Sequence, residues 1–424
     1  MRSIKLTTWI MIAMILGIGV GVVCHGQAPT AAAAKEIAGY FSLMTDLFLR
    51  LIKMIIAPLV FATLVSGIAS MSDGKALGRV GIKALTWFIL ASLMSLSLGL
   101  LFSNLLHPGQ ALGMPLPEVG AATKLSTASF SLKDFVTHLV PKSFFEAMAG
   151  NEILQILVFS LFFGCAVSAV RPGGAPTVVR FTEELADIML KLTGYVMRFA
   201  PLGVFAAMAA AITVQGLGVV TTYGKLLGSF FLALAVLWMV LIGAGFLFLG
   251  PRVFTLLKLL REPIMLGFST ASSESAYPKL LEQLETFGLS NKITGFVLPL
   301  GYSFNLDGSM MYQAFAALFI AQAYNIDMPL MQQLTMLLVL MVSSKGMAGV
   351  PRGSLVVVAA VLPMFGLPEA GLLLIMGIDQ ILDMARTATN VLGNGIATAV
   401  VSKWEGAAVT GAEAEAPLKM VVTS

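Results

Sequence analysis

Hydrophobic positions along the chain fall into long unbroken runs, not into the narrow stripes of half-buried strands and helices. Runs long enough to cross a bilayer lie near 8–24, 41–70, 82–106, 153–170, 185–214 and 226–250. The second carries Arg50 and Lys53, which predicts a tilted helix extending past the hydrocarbon. The first follows Arg2 and Lys5 as a signal peptide would, but its apolar stretch is long for a signal core and is read as the first span. The polar stretch 107–143 reads as a loop with a short interfacial segment.

After residue 255 the pattern changes. Two segments, 255–290 around "STASSES" and 330–366 around "SSKGMAGVPRGS", each have two apolar arms too short to cross. Both read as re-entrant helical hairpins, which bilayers tolerate only where the turn is buried in protein or lines a cavity. Each is followed by a long apolar helix with Asn-x-x-Gly: 292–324 with "NLDG" and 371–403 with "NVLG". One span separates the units, so they enter from opposite sides, as in an inverted repeat with a binding site at mid-membrane. The stretch "GYSFNLDGSMMY" (301–312) puts Asn305 and Asp307 inside hydrocarbon, where a charge costs about 3 kcal/mol. Gly301 and Gly308 are expected to let the helix unwind there.

Composition agrees with a polytopic all-α membrane protein. Hydrophobic residues make up 58% of the chain and charged residues 11%, far from the balance of a soluble domain. The net charge is only +4 and no Lys/Arg-rich run points to a nucleic acid partner. Inner connections with Lys75, Arg79, Lys83, Arg171, Arg180, Arg252, Lys258 and Arg261 place both termini, including the tail 404–424, on the cytoplasmic side. Cys24 and Cys165 form no metal or disulfide pattern, and His25, His107 and His138 all fall near segment ends. A histidine-built catalytic or metal site, and with it an intramembrane hydrolase, is thereby disfavoured.

The last helix carries the densest chemistry. Asp379, Asp383, Arg386, Asn390 and Asn394 share one face, with Thr387 beside it. A structural ion pair of Asp383 with Arg386 is the plainer reading, yet five aligned polar residues exceed what one pair needs. Asp379 and Asp383 lie one turn apart and call for a further positive partner. An Arg fork suits a carboxylate, an Asp suits an ammonium, and Ser272, Ser273 and the hairpin-tip amides offer donors to a second carboxylate. The pattern demands a zwitterion with an extra carboxylate.

The segments "STASSES", "GYSFNLDGS", "SSKGMAGVP" and "DQILDMARTATNVLGN", with "LIKMIIAPLVFATLVSGIASM" in the second span, resemble the signature segments of the dicarboxylate/amino acid:cation symporters, the glutamate transporter fold. The resemblance covers essentially the whole chain. It implies a homotrimer in the cell inner membrane with eight spans and two hairpins. Scaffold helices (1–70 and 153–214) would hold a transport unit (82–106, 226–250, both hairpins, 292–324 and 371–403) that slides like an elevator. It also implies that Arg386 grips the side-chain carboxylate of glutamate or aspartate and Asp383 the amino group. Thr387 and Asn390 would complete the pocket, Ser273 and Ser309 would lie near the carboxylates, and Val350 and Pro351 would form the gate.

Departures from the family pattern bear on the coupling ion. Sodium-coupled members have an Asp where this chain has Asn394, and a Tyr, Thr and Ser in the third span where it has Phe88, Ala91 and Ser92. Sodium needs an oxygen cage, so protons are expected to drive uptake, with Asp307 and then Asp379 as carriers. A residual sodium site at Asn305, Asp307 and Asn390, and a C4-dicarboxylate substrate, are the alternatives. Members of the C4-dicarboxylate type tend to lack the Asp matching Asp383. No cofactor is expected. Glutamate enters as a net anion against about 2.3 kcal/mol per 100 mV, which argues for at least two protons per substrate.

Overall fold

The structure is a computed structural model that describes residues 6–69, 74–110, 116–117, 137, 139–170, 175–216, 223–344 and 353–406. Val350, Pro351, Arg352, Lys345 and most of the tail 404–424 lie outside the described residues. Every element among the described residues is helical. In order they are α1 (Leu6–Gln27), α2 (Ala31–Ala69), α3 (Gly74–Leu106), α4 (Phe144–Gly150), α5 (Ile153–Ala169) and α6 (Pro176–Met197). Then come α7 (Ala200–Gln215), α8 (Gly224–Leu249), α9 (Arg252–Thr270), α10 (Ser273–Thr286) and α11 (Asn291–Phe304). The remainder are α12 (Asp307–Ala323), α13 (Leu330–Ser343), α14 (Gly353–Val361), α15 (Leu372–Met376) and α16 (Asp379–Trp404), with two 3-10 turns between α14 and α15.

Among the described residues α1, α2, α3 and α8 are long and apolar enough to cross a bilayer. The expected span 185–214 is instead two helices, α6 and α7, bent by 54°. Pro201, in the first turn of α7, explains the restart, because its ring clashes with the preceding turn and it has no N–H to continue α6. The stretch 371–403 is likewise divided, with Gly377 and Ile378 between α15 and α16. The first hairpin turns at Ala271, in left-handed conformation (φ 49°), and Ser272 caps α10 by accepting the Ser275 N–H at 3.3 Å. That serine-rich turn is thus a helix-capping signal as well as a source of donors.

α16 lies at the centre. Every residue from Met384 to Ser402 is buried, and α8, α9, α10, α11, α12 and α3 all pack on it. Its Ala, Gly and Thr let neighbouring backbones approach, as membrane helices require when lipid gives no hydrophobic drive to pair. A second group forms around α2, against which α5, α6 and α7 pack, while α1 lies along α7. α10 and α11 lean on α2 and connect the groups.

The end of α16 is tied to the start of α3. Glu405 accepts Arg79 Nε at 2.7 Å and Lys83 Nζ at 2.7 Å, and Lys83 also reaches the Trp404 carbonyl at 2.6 Å. Trp404 packs edge-on against Trp87 and Phe248, with centroids at 5.7 and 5.1 Å. The hydrogen bond from Arg79, with Lys83 beside it, holds the Glu405 carboxyl below its usual range. A lowered folded-state value means the pair stabilises the fold above the ordinary carboxylate range and stops doing so as pH falls through the depressed value. Thermal unfolding in detergent should therefore show Glu405→Gln less stable than wild type at neutral pH. The gap should close in acid.

Candidate functional site

The polar face expected on the last helix forms as read, and one guanidinium organises it. Arg386 donates from Nε to Asp383 Oδ1 at 2.8 Å and from Nη1 to Asp379 Oδ1 at 3.1 Å. Asp379 and Arg386 are buried, with side chains 1% and 3% exposed, whereas Asp383 keeps 21% accessible. Arg386 thus bridges the two like charges. Thr387 Oγ1 lies 3.4 Å from Asp383 Oδ1. With all three groups ionised the trio has a net charge of −1, and one carboxylate is turned toward open space.

Sequence reasoning missed Tyr312. Its hydroxyl donates to Asp379 Oδ1 at 3.0 Å, and its ring lies 4.3 Å from the guanidinium of Arg386. The signal was present: in "GYSFNLDGSMMY" the last Tyr stands three residues after Ser309, on the same helical face. Trp238 was also missed. It donates to Thr389 Oγ1 at 2.8 Å from behind the face.

α11 and α12 are the two halves of one interrupted helix, parted at Asn305 (φ −118°, ψ 67°) and Leu306 (φ −104°, ψ 61°). The break is not made by glycine. Gly301 and Gly308 stay helical, and what they supply is room: a Cβ on Gly301 would strike the Asn394 carboxamide, and one on Gly308 the Arg386 carbonyl. Leu306 stands at the N-cap of α12 with no side chain to accept its first amides. Asn390 on α16 does so instead, taking Gly308 N–H at 2.9 Å and Ser309 N–H at 3.3 Å on Oδ1 while its Nδ2 donates to Ser309 Oγ at 3.0 Å.

Asp307 opens α12, where the helix dipole and nearby amides offset part of the cost of burying a carboxylate. Asn305 Nδ2 lies 3.3 Å from Asp307 Oδ2 and 3.4 Å from Asn394 Oδ1. Asn305 Oδ1 and Ser303 Oγ have no hydrogen-bond partner among the described residues. Phe88 is buried here, its ring 3.4 Å from where a Cβ on Gly301 would stand. Asn394, Asn305, Asp307 and Gly301 thus lie together, whereas Asp379 sits with Arg386 and Tyr312, and Asn390 is turned to the α12 amides. At the first hairpin, Ser273 gives its carbonyl to Tyr302 OH at 2.9 Å. The hairpin meets α16 beside Thr387, whose Cγ2 lies 3.4 Å from where a Cβ on Gly267 would stand.

A buried Asp–Arg–Asp cluster set on a helix beside a broken helix, in a chain of apolar helices, is the apparatus of a multi-pass membrane transporter rather than an enzyme. The comparisons agree. Residues 6–404 match the sodium:dicarboxylate symporter family, and the chain belongs to that family. It is similar to the proton/sodium-glutamate symport protein of Geobacillus stearothermophilus, with 42% identity over 411 residues, 96% of each chain. It is also similar to the C4-dicarboxylate transport protein of Citrifermentans bemidjiense, 40% identical over 96% of this chain and 92% of that one. The proton/glutamate-aspartate symporter of Escherichia coli (strain K12) is 39% identical over 96% of this chain and 94% of its own.

Tyr312 is the residue to test in the cluster. Tyr312→Phe keeps the ring over Arg386 but removes a hydrogen bond to a charged group, worth about 1.5 kcal/mol of stability. Tyr312→Ala should cost more, because the ring goes as well. Thermal unfolding of the purified protein in detergent checks both.

Proposed function

We propose that this chain imports glutamate or aspartate together with protons by alternating access to the face of α16. The observation that carries the reading is Arg386 held between two carboxylates, of which only Asp383 remains accessible. An ammonium brought to Asp383 supplies the missing positive charge. It also frees part of the guanidinium fork to take a carboxylate. A C4-dicarboxylate has no ammonium and would set anion against Asp383. Two of the relatives carry glutamate in their names and one carries C4-dicarboxylate, so Asp383 is the residue that decides. Asp383→Asn should abolish glutamate uptake far more than succinate uptake, and the opposite ranking in competition assays would favour the dicarboxylate.

In this reading eight spans are formed by α1, α2, α3, α5, α6 with α7, α8, α11 with α12, and α15 with α16. The group around α16 is the moving unit and the group around α2 the scaffold of a homotrimer in the cell inner membrane, both termini cytoplasmic. Ser272 and Ser273 at the first hairpin and Ser309 at the start of α12 line the substrate carboxylates, and Val350 and Pro351 form the gate. Protons are favoured over sodium by three features: the Phe88 ring beside the break, Ala91 with no side-chain oxygen to give, and Asn390 whose side-chain oxygen is engaged by amides. Asp307 is the first proton carrier and Asp379 the second.

Two measurements bear on the coupling. In proteoliposomes with sodium and pH gradients imposed separately, an acidic exterior should drive glutamate uptake without sodium, while strict sodium dependence overturns proton coupling. Asp307→Asn should abolish gradient-driven uptake yet leave substrate exchange at least partly intact. Loss of both together would make Asp307 structural.

A further inference from the structure

Behind the substrate face of α16 lies a cavity of about 540 Å³, within the range of small-molecule sites. Met14 of α1, Ala235 and Trp238 of α8, Met265 of α9, and Ala388 and Thr389 of α16 stand on its walls. The two polar groups of that wall, the Trp238 indole N–H and the Thr389 hydroxyl, are bonded to each other at 2.8 Å, and the hydroxyl goes on to the Ala385 carbonyl at 3.0 Å. Little is left for water, which needs two to four polar partners to enter. Among the described residues no charged side chain lines the space, so it would not seat a headgroup or an ionic substrate.

The mouth of the cavity is as informative as its walls. Phe231 and Met239, at its rim on α8, are 39% and 64% exposed, and the outer face of the same helix continues through Leu232, Phe246 and Leu247. α1 presents Met11 and Ile15 to the same surroundings. These are membrane-crossing helices, so the opening faces the hydrocarbon of the bilayer. An unfilled space there would leave its lining without partner atoms.

We propose that one acyl chain of a membrane lipid inserts between α1 and α8 and lies against Trp238, Met265 and Ala388. Ala385 and Ala388 flank Arg386 and Thr387 along α16, so the chain backs the helix that carries the substrate contacts. Resting here on the proposed division into scaffold and moving unit, the chain touches both, since α1 belongs to one and α8, α9 and α16 to the other. It therefore slows their relative movement, and turnover depends on the acyl chains of the bilayer.

The full chain, reconstituted with a trace of phosphatidylcholine bearing a mid-chain diazirine, tests this by photolysis and peptide mass spectrometry. The expected result is adduct at Met265 at least equal to that at Leu247, which faces lipid in any case. Ala235→Phe, or the milder Ala235→Leu should the first misfold, is expected to cut the Met265 adduct several-fold and leave Leu247 unchanged. Absence of adduct at Met265, or adduct indifferent to Ala235, overturns the site. So does labelling of Met265 only by a water-soluble aryl diazirine, which would assign the cavity to a molecule from solution. Labelling requires no transport, so its failure is distinct from a failure of the proposed function. Wild-type uptake should change several-fold between bilayers of straight and branched acyl chains and Ala235→Phe should flatten the change; equal rates in wild type overturn the slowing role alone.

Discussion

One ionic interaction, Arg386 clasped between Asp379 and Asp383, sets the terms for the rest of the structure. A guanidinium buried inside a membrane protein is tolerable only if its charge and its N–H groups are met. Two carboxylates at 2.8 and 3.1 Å meet them, and a tyrosine ring lies 4.3 Å from the guanidinium carbon. Breaking such a cluster from one side leaves an uncompensated charge and costs about 3–5 kcal/mol. The helix that bears it must therefore sit at the centre of the molecule. It does, buried continuously from Met384 to Ser402.

The same constraint reaches the interrupted helix. Breaking a helix at membrane depth exposes amides that lipid cannot satisfy. Here the amides of Gly308 and Ser309 are taken by the side chain of Asn390, one turn along α16 from Arg386. Asn390 thus acts as the N-cap that Leu306 cannot provide. The cap comes from the neighbouring helix, so the start of α12 and the polar face of α16 are held in one register. A shift of either is felt by the other.

Helices and the polar face were largely legible in the sequence, because both are written in short-range periodicity. The face at Asp379, Asp383, Arg386, Asn390 and Asn394 follows from 3.6 residues per turn, and the interruption near residue 305 from polar residues in hydrocarbon. What could not be read was tertiary. The bend between α6 and α7 was hidden because 185–214 reads as one apolar span, with Pro201 inside it, despite Asp187, Lys191 and Arg198. Gly301 and Gly308 suggested loosened backbone, whereas neighbouring atoms demanded space there. The spacing of Asp379 and Asp383 could not show that one Arg386 would reach both. Tyr312 and Trp238 were passed over because an aromatic residue in an apolar helix looks like packing until its partner is known.

Charge arithmetic links this geometry to coupled transport. Asp307, Asp379 and Asp383 against Arg386 leave the substrate-free site at −2 when all four are ionised. On the proposed reading, glutamate alone would take the site to −3. Two protons arriving with it leave −1. The partly loaded site thus carries the largest uncompensated charge in a poorly solvated interior, where such charge is most costly. Each proton bound then favours substrate, and by linkage substrate favours each proton to the same degree. Coupling on this account needs no separate device, because a single guanidinium shared by two carboxylates leaves a site that glutamate cannot fill cheaply until protons have been bound.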